Sequence, residues 1–288
     1  MDNLKTTIRN MGKAGIACMG YLFALTGVYG HTMVGVRGGA QSVAVLEDHV
    51  PNPRGLKQED GQPLRRENGD LGLPLPKGEV WDMVVDADAF ARGEAQTATE
   101  EEMWERFTYF LQELVPVAEE AGVRLAAHPD DPPVPVLRGV SKLIYHPDRY
   151  QKMLDIYPSH YNSCEFCQGT VSEMLDGGDF VYDAIRRYAG KNISYVHFRN
   201  VVGKAPNYRE VFIDEGDVDM MKAMEAYRDA GFEGVMIPDH TPSTSSPAPW
   251  HAGIAFAIGY MKASAKAAGI EFEKAAGDGE YPAVTSRL

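Results

Sequence analysis

The sequence predicts an α/β barrel of the TIM type that is incomplete at its N-terminal end, with about five of the eight strands present. Two observations lead to this fold class. Short apolar runs alternate with amphipathic helical segments, without a break in composition, and this alternation is typical of parallel α/β folds. Four of the apolar runs also end in residue types that bind metal ions, as strands do at the functional face of a barrel.

The five predicted strands fall short of the number that closes a barrel. At about 30 residues per strand–helix unit, about 80–100 residues are expected to be missing before the first helix. Either Met1 is an internal start, or a shortened protein closes its barrel through a second chain; we expect the former. Apolar residues should then be exposed along the gap between the first and last strands. The predicted strands are 16–23, 124–128, 163–167, 194–198 and 234–238.

The predicted helices begin and end at capping residues. Thr99, followed by three glutamates, opens a long helix that ends near Gly122. Asp217 is predicted to cap a helix that Gly231 terminates. The glycine-rich segment 27–39 is predicted to be irregular. Further helices are predicted at 3–14, 147–157 and 252–268, and in two pieces, broken at 176–179, over 170–189.

A single domain is expected over residues 1–288. It is interrupted at about 51–78 by an insertion rich in proline, glycine and charge, which is followed by a short predicted strand at 80–85. A loop of this length is typical of a lid, an oligomer contact or a mobile surface segment.

Composition narrows the class of protein. The chain is 44% hydrophobic and 24% charged, as in ordinary soluble globular proteins, and no apolar run is long enough for a membrane span. The formal net charge of −13 argues against nucleic acid as a partner, since that affinity depends on neutralising phosphates. Three cysteines do not make a disulfide framework and favour the reducing cytoplasm.

Four strand ends carry potential metal ligands. The first ends at His128 in a proline-stiffened loop, the next two end at Cys167 and His197, and the last leads into Asp239 and His240. In a parallel sheet or barrel these ends lie on one face, so one cysteine, two histidines and one aspartate make a ligand set. Ligand softness alone favours Zn²⁺ or Fe²⁺.

Cys164 and Cys167 form a Cys-x-x-Cys motif, which invites a redox or zinc-ribbon interpretation. On a strand, however, residues three apart point to opposite faces, and no second Cys-x-x-Cys occurs in the sequence. Cys164 is therefore interpreted as a buried apolar residue.

Polar residues beside the four strand ends are candidate substrate and proton-transfer groups. Asp130 and Asp131 are expected to orient ligands or to hold substrate hydroxyls; an Asx turn is the alternative for Asp130. Arg199 is expected to bind a carboxylate through its planar fork, with a surface ion pair as the alternative, and Asn200 is grouped with it as substrate-binding. His240 cannot easily share a metal with its neighbouring aspartate, so it is assigned to proton transfer.

Together these segments resemble the mannonate dehydratase family, within the xylose-isomerase-like superfamily of TIM barrels. They follow the family's order and run through most of the chain, which makes the set specific although each segment alone is weak. The matching segments are 7–10 (Thr-Ile-Arg-Asn), 128–133 (His-Pro-Asp-Asp-Pro-Pro), 166–169 (Phe-Cys-Gln-Gly), 197–201 (His-Phe-Arg-Asn-Val) and 238–240 (Pro-Asp-His).

The resemblance implies a hydro-lyase that dehydrates D-mannonate to 2-keto-3-deoxy-D-gluconate in hexuronate (glucuronate) catabolism. It implies one Mn²⁺ or Fe²⁺ on His128, Cys167, His197 and Asp239. Proton transfer is expected from His240 and carboxylate binding from Arg199. The expected partner is a small sugar acid, and the expected assembly is a homodimer.

The sequence departs from the family pattern at three places. Thr241-Pro242 replaces the glycine that often follows Pro-Asp-His, the catalytic tyrosine expected beyond it is absent from 243–250, and 21–23 reads Tyr-Leu-Phe instead of Tyr-Asn-Phe. A related sugar acid is therefore an open alternative as substrate. Two other classes also stay open: a sugar isomerase or epimerase, whose sites are richer in carboxylate ligands, and a non-catalytic metal- or sugar-acid-binding relative, which the missing tyrosine favours.

Overall fold

The computed structural model describes residues 1–25, 31–46, 98–137, 140–174 and 180–270, and the structural statements below concern these ranges. The predicted insertion at 51–78, the predicted strand at 80–85 and the predicted helix break at 176–179 lie outside the described residues.

Helices and strands alternate along most of the described chain. The α-helices are α1 (Asp2–Lys13), α2 (Glu100–Ala121), α3 (Asp148–Ile156), α4 (Gln168–Met174), α5 (Phe180–Tyr188), α6 (Met220–Asp229) and α7 (Pro249–Ala267). The strands are β1 (Cys18–Tyr21), β2 (His31–Gly35), β3 (Gln41–Val45), β4 (Arg124–Ala127), β5 (Val136–Leu137), β6 (Val140–Ser141), β7 (Asn162–Cys167), β8 (Ile193–His197), β9 (Val201–Lys204), β10 (Asn207–Glu210) and β11 (Val235–Ile237).

Five of these strands form one parallel sheet in the order β1-β4-β7-β8-β11. The sheet is a half-barrel of the TIM type. All five strands predicted from the sequence are present, each within two residues of its predicted bounds. The prediction of a partial barrel is therefore confirmed.

The two edge strands of the half-barrel expose apolar side chains. In the described part of the chain, β1 and β11 each pair on one side only. Val235 and Ile237 of β11 are 63% and 37% exposed, and Ile16, just before β1, is 49% exposed. Exposed apolar residues along these two edges were expected for an open sheet, and the structure has them.

The helical layer packs on one face of the sheet. Phe107, Leu111 and Leu114 of α2 are fully buried, as are Phe166 and Val196 of the central strands. Because these strand residues alternate with inward-facing ones, the opposite face of β7 and β8 is left for polar side chains.

The capping prediction for α2 is confirmed. The Thr99 hydroxyl accepts from the Glu102 amide while the Glu102 carboxylate accepts from the Thr99 amide, and Gly122 ends the helix with φ 69°.

The cap predicted for α6 is wrong by two residues. Asp219 caps this helix by accepting from the amides of its first turn, because Asp217 is engaged elsewhere and accepts from the Gly203 amide at 2.8 Å.

A second sheet of four antiparallel strands, in the order β2-β3-β10-β9, was not predicted. It includes β2, so the prediction that the whole glycine-rich segment 27–39 is irregular is wrong for residues 31–35. Since β9 follows β8 after three residues, this sheet lies next to the carboxyl-terminal ends of the parallel strands. It thereby contributes polar side chains to the face where the candidate ligands lie.

Among the described residues, no helix combines the length and the apolar character that a membrane crossing requires.

Candidate metal centre

Three candidate ligands converge at the ends of adjacent parallel strands. His128 directly follows β4, while Cys167 and His197 are the last residues of β7 and β8 and are paired in register. One donor atom from each of the three residues lies within 4.8 Å of the others. This spacing is compatible with a single metal ion bound by two imidazoles and a thiolate.

Asp239 lies beside this cluster, two residues beyond β11. Its Oδ1 atom is 3.4 Å from Nδ1 of His197, and its Oδ2 atom accepts from Nε of Arg199 at 3.0 Å. Its backbone adopts φ 59°, a left-handed conformation that aspartate tolerates better than most residues and that often marks functional sites. A role for Asp239 as the fourth ligand stays a prediction, to which this geometry lends support.

The donor atoms themselves fit a cation. Nδ1 of His128 donates to the Pro129 carbonyl at 2.6 Å, which makes Nε2 the ring nitrogen that would bind a metal. Nδ1 of His197 is buried and makes no hydrogen bond of good geometry in the described structure, although Oδ1 of Asp239 lies 3.4 Å away. A buried nitrogen without a partner is costly unless a ligand satisfies it. These residues could therefore hold a divalent metal ion.

The charges around the cluster favour the ligand form of Cys167. Burial opposes ionisation of its thiol, but Arg199 and the two histidines outweigh burial and lower the pKa of Cys167 to about 5. Burial also opposes protonation of the histidines. Cys167 and nearby carboxylates nevertheless raise the pKa of His128 to about 8 and that of His197 to about 12. Cys167 is thus a thiolate at neutral pH, the form that binds metals.

The two cysteines of the Cys-x-x-Cys motif lie in different environments. Cys164 is fully buried within the hydrophobic core between sheet and helices, and burial raises the pKa of its thiol. Cys167 lies among the histidines, and its sulfur accepts from the Thr170 hydroxyl at 3.1 Å. The two sulfurs therefore lie on different faces of the strand, as expected for residues three apart on a strand.

His240 forms a pair with a carboxylate that the sequence did not indicate. Its Nδ1 atom lies 2.8 Å from Oε1 of Glu210, on β10 of the antiparallel sheet, and its Nε2 atom lies 3.4 Å from Oδ1 of Asp239. Burial opposes protonation of the ring, but Glu210 and Asp239 raise the pKa of His240 to about 9. The His240 side chain remains 39% exposed, so it is accessible to a substrate.

Arg199 is buried and surrounded by protein carboxylates, which excludes the alternative of a surface ion pair. The guanidinium is 3% exposed. It donates to Asp239, to Glu173 at 2.9 Å and to Asp131 at 3.3 Å, and lies 3.5 Å from Glu210. Because each end of its planar fork is occupied by a protein acid, these contacts argue against its predicted role as the group that binds a substrate carboxylate.

Two of the predicted substrate-binding residues hold the backbone in place. Oδ2 of Asp130 accepts from the amides of Leu143 and Ile144 at 2.7 and 2.8 Å. The Asn200 side chain donates to the Val218 carbonyl and accepts from the Val218 amide. Both residues are buried, and the remaining oxygen of Asp130, Oδ1, lies 3.4 Å from Nζ of Lys142. Substrate binding by these two residues stays a prediction, which these contacts do not support.

Asp131 links the two sheets. Its Oδ1 atom accepts from the Tyr208 hydroxyl of β10 at 2.7 Å and lies 3.3 Å from Nε2 of His31 on β2, while its Oδ2 atom faces Arg199. Burial opposes ionisation, but His31 and Arg199 hold the pKa of the Asp131 carboxyl well below its usual range. Asp131 therefore anchors the antiparallel sheet over the strand ends.

Sequence reasoning missed three acids of the site. Glu165 had a usable signal, since it lies two residues before Cys167 on the same strand and so shares its face. Glu173, in the helix after β7, and Glu210, on an unpredicted strand, had none.

A TIM-type α/β half-barrel with a histidine–cysteine–histidine cluster at its strand ends defines the class of this protein. Within that class, the family model for D-mannonate dehydratase (UxuA) matches residues 1–271, and the chain belongs to this family. The sequence-based recognition of the family is confirmed.

Individual relatives agree with the family model. Mannonate dehydratase of Thermotoga petrophila is 31% identical over 248 residues, and that of Enterococcus faecalis is 29% identical over 245 residues. Each match covers 83% of this chain and 66% of the relative, so the chain spans slightly less than two thirds of their length. The crystal structure of mannonate dehydratase from Streptococcus suis has the same fold, with a TM-score of 0.69 and 24% identity, over 98% of this chain and 75% of that one.

Proposed function

We propose that this protein is a metal-dependent hydro-lyase that converts D-mannonate to 2-keto-3-deoxy-D-gluconate in hexuronate (glucuronate) catabolism. The observation that carries the proposal is the convergence of His128, Cys167 and His197 within 4.8 Å at three strand ends, in a chain that belongs to the D-mannonate dehydratase family. Asp239 completes the proposed ligand set, and Mn²⁺ or Fe²⁺ is the proposed metal.

The reaction removes a weakly acidic proton from C2 and a hydroxyl group from C3. A divalent cation would supply Lewis acidity for the negative charge that develops next to the substrate carboxylate. The protein must then position a group that moves a proton at each of the two carbons.

His240 is the proposed proton-transfer group. Its Nδ1 atom is held by Glu210 at 2.8 Å, which fixes the ring and leaves Nε2 as the atom that exchanges a proton with the substrate. That nitrogen lies beside Asp239, and hence beside the proposed metal. The pairing of an imidazole with an orienting carboxylate is a common arrangement in acid–base catalysis.

Arg199 is proposed to position the site. It donates to one oxygen of Asp239, and the other oxygen of the same carboxylate faces His197. A carboxylate held from one side in this way is restricted in rotation, which favours metal binding by Oδ1, the oxygen that Arg199 does not contact.

Two alternatives differ in what they predict for substrate turnover. An isomerase or epimerase would rearrange the sugar without loss of water. A non-catalytic relative would bind metal or sugar acid without turnover, and the absence of tyrosine from 243–250 is the feature in its favour. The presence of the His240–Glu210 pair favours an enzyme, because a binding protein has no need of an oriented proton-transfer group.

One assay separates these functions. The protein is incubated with D-mannonate and Mn²⁺ or Fe²⁺, and the products are measured as 2-keto-3-deoxy acid and as isomerised sugar acid, with a chelator-treated control. Metal-dependent formation of the 2-keto-3-deoxy acid supports the proposal. Isomerised product would support the isomerase or epimerase instead. Bound metal without any turnover would support the non-catalytic relative.

The expected homodimer and cytoplasmic location belong to the same proposal. Three free cysteines agree with a reducing compartment. Light scattering coupled to size-exclusion chromatography tests the dimer, and a monomer at micromolar concentration would contradict it.

A further inference from the structure

We propose that Glu165 is a positioning residue that selects Nδ1 of His197 as the metal-binding nitrogen, by accepting a hydrogen bond from the opposite ring nitrogen. The inference rests on the metal centre of the proposed function, but it does not depend on the substrate or on the reaction.

The strand register places Glu165 directly behind the proposed ligands. Cys167 pairs with His197 at the ends of β7 and β8, and two residues earlier Glu165 pairs with Tyr195. Side chains two residues apart on a strand share a face, so Glu165 and Tyr195 form the layer beneath Cys167 and His197. The Glu165 side chain is 6% exposed, and a buried carboxylate requires partners.

The distance between Glu165 and His197 is that of a hydrogen bond. Oε1 of Glu165 lies 2.8 Å from Nε2 of His197 and 4.0 Å from Nε2 of His128. At this distance the Glu165 carboxylate oxygen accepts the proton of Nε2, whereas Nε2 of His128 is beyond hydrogen-bond range.

The other nitrogen of His197 lies beside Asp239. This Nδ1 atom is buried and makes no hydrogen bond of good geometry in the described chain, and it lies 3.4 Å from Oδ1 of Asp239. A metal-bound imidazole carries one proton, and because Glu165 would hold that proton on Nε2, Nδ1 would be the nitrogen that binds the metal. His128 has the reverse arrangement, because its Nδ1 proton goes to the Pro129 carbonyl.

The sheet leaves space for this arrangement at Gly20 of β1. A methyl group on Gly20 would overlap the hydroxyl oxygen of Tyr195 and lie 2.6 Å from Oε2 of Glu165. The Tyr195 hydroxyl and Oε2 of Glu165 therefore both border the position of that methyl group. Oε1 of Glu165 is thereby directed at His197. The other oxygen, Oε2, lies beside Tyr195 in the space above Gly20.

The first test uses the unaltered protein loaded with Zn²⁺, which is diamagnetic. Long-range ¹H–¹⁵N correlation spectra of the histidine rings distinguish a metal-bound nitrogen from a protonated one. We expect His197 to bind through Nδ1 with a proton on Nε2, and His128 to bind through Nε2 with a proton on Nδ1. Coordination of His197 through Nε2 overturns the proposal, because Glu165 would then have no proton to accept.

The second test measures Zn²⁺ and Mn²⁺ affinity by competition with a chelating dye. Glu165→Leu removes the acceptor and should weaken binding by about 10–100-fold, the usual effect of losing such an outer partner. Glu165→Gln keeps an acceptor oxygen and should retain most of the affinity. Ser163→Ala, a buried change on the same strand, should bind metal like the unaltered protein.

The outcomes separate the inference from the proposed function. Unchanged affinity in Glu165→Leu overturns the positioning role even in a protein that dehydrates D-mannonate. An equal loss in Glu165→Gln and Glu165→Leu would also overturn it, since a direct ligand loses its charge in both. If Glu165→Leu does not fold, the spectra of the unaltered protein still decide the matter. Failure of turnover with the expected histidine spectra would refute the dehydratase proposal alone.

Discussion

Replacing Arg199 by methionine should destabilise the protein strongly, because its guanidinium is the common partner of several buried acids. The side chain is 3% exposed and donates to Asp239 at 3.0 Å, to Glu173 at 2.9 Å and to Asp131 at 3.3 Å. Methionine fills much of the same volume but leaves these carboxyl groups without their cation.

The expected magnitude follows from what each acid can do after the change. Removing one member of a buried ion pair costs about 3–5 kcal/mol. The three pairs do not add, because burial already raises the pKa of Glu173 well above its usual value, so this group can become neutral by binding a proton. We therefore expect Arg199→Met to lose about 3–5 kcal/mol of unfolding free energy at pH 7.

The loss should depend on pH in a defined direction. Against the effect of burial, nearby cations that include Arg199 hold the carboxyl pKa values of Asp131 and Asp239 below their usual range. Stability from a depressed carboxyl pKa is present above the unfolded pKa of about 3.9 and is lost as the pH falls through the folded pKa. In Arg199→Met the folded pKa values rise toward the unfolded value, so the difference in stability from the unaltered protein should be largest above about pH 4 and should shrink as the pH falls below it.

Urea unfolding followed by far-UV circular dichroism measures this difference. Arg186→Met is the matched control, since Arg186 pairs with Asp183 at the surface and its side chain is 50% exposed; such pairs contribute about 0–1 kcal/mol. Arg199→Lys should fall between the two, because an ammonium group lacks the planar fork. Arg199→Met with the stability of the control, together with a raised KM for D-mannonate, would refute this account and restore the substrate-carboxylate role.

Other changes should separate metal binding, proton transfer and packing. His240→Asn should retain bound metal but lose turnover by about 10²–10⁴-fold, and loss of metal in that variant would contradict a proton-transfer role. Cys167→Ala should abolish stoichiometric metal binding, measured by elemental analysis after dialysis, whereas Cys164→Ala should retain it; equal losses would revive the Cys-x-x-Cys interpretation. Gly169→Ala would place a methyl group 2.5 Å from Nη1 of Arg199, and should lower the urea midpoint by an amount equivalent to about 1–3 kcal/mol; an unchanged midpoint would mean that the guanidinium can move.

The parallel sheet could be predicted because its signals are local. Each strand is a short apolar run, and capping residues such as Thr99 and Gly122 mark helix ends within a few positions of the chain. The antiparallel sheet could not be predicted in this way. Its β3–β10 pairing joins Val45 to Tyr208, and no local pattern records a contact between residues so far apart in sequence.

In the candidate site, too, residues with a local signal could be predicted and long-range contacts could not. His128, Cys167 and His197 could be found because parallel strands deliver their ends to one face. The importance of Arg199 could be inferred from its position after His197. Its acidic partners could not be inferred, because they come from separate parts of the chain. Glu210 is the clearest case: it reaches His240 only because the unpredicted β10 lies against the strand ends.

The position of a bound metal is the most direct test of the proposed site. A crystal of the Mn²⁺-loaded protein, with anomalous differences recorded near the manganese absorption edge, locates the ion without reference to activity. We predict one peak within about 2.0–2.5 Å of donor atoms from His128, Cys167, His197 and Asp239. A peak elsewhere, or a Cys167 sulfur directed into the helical layer away from the ion, would contradict it.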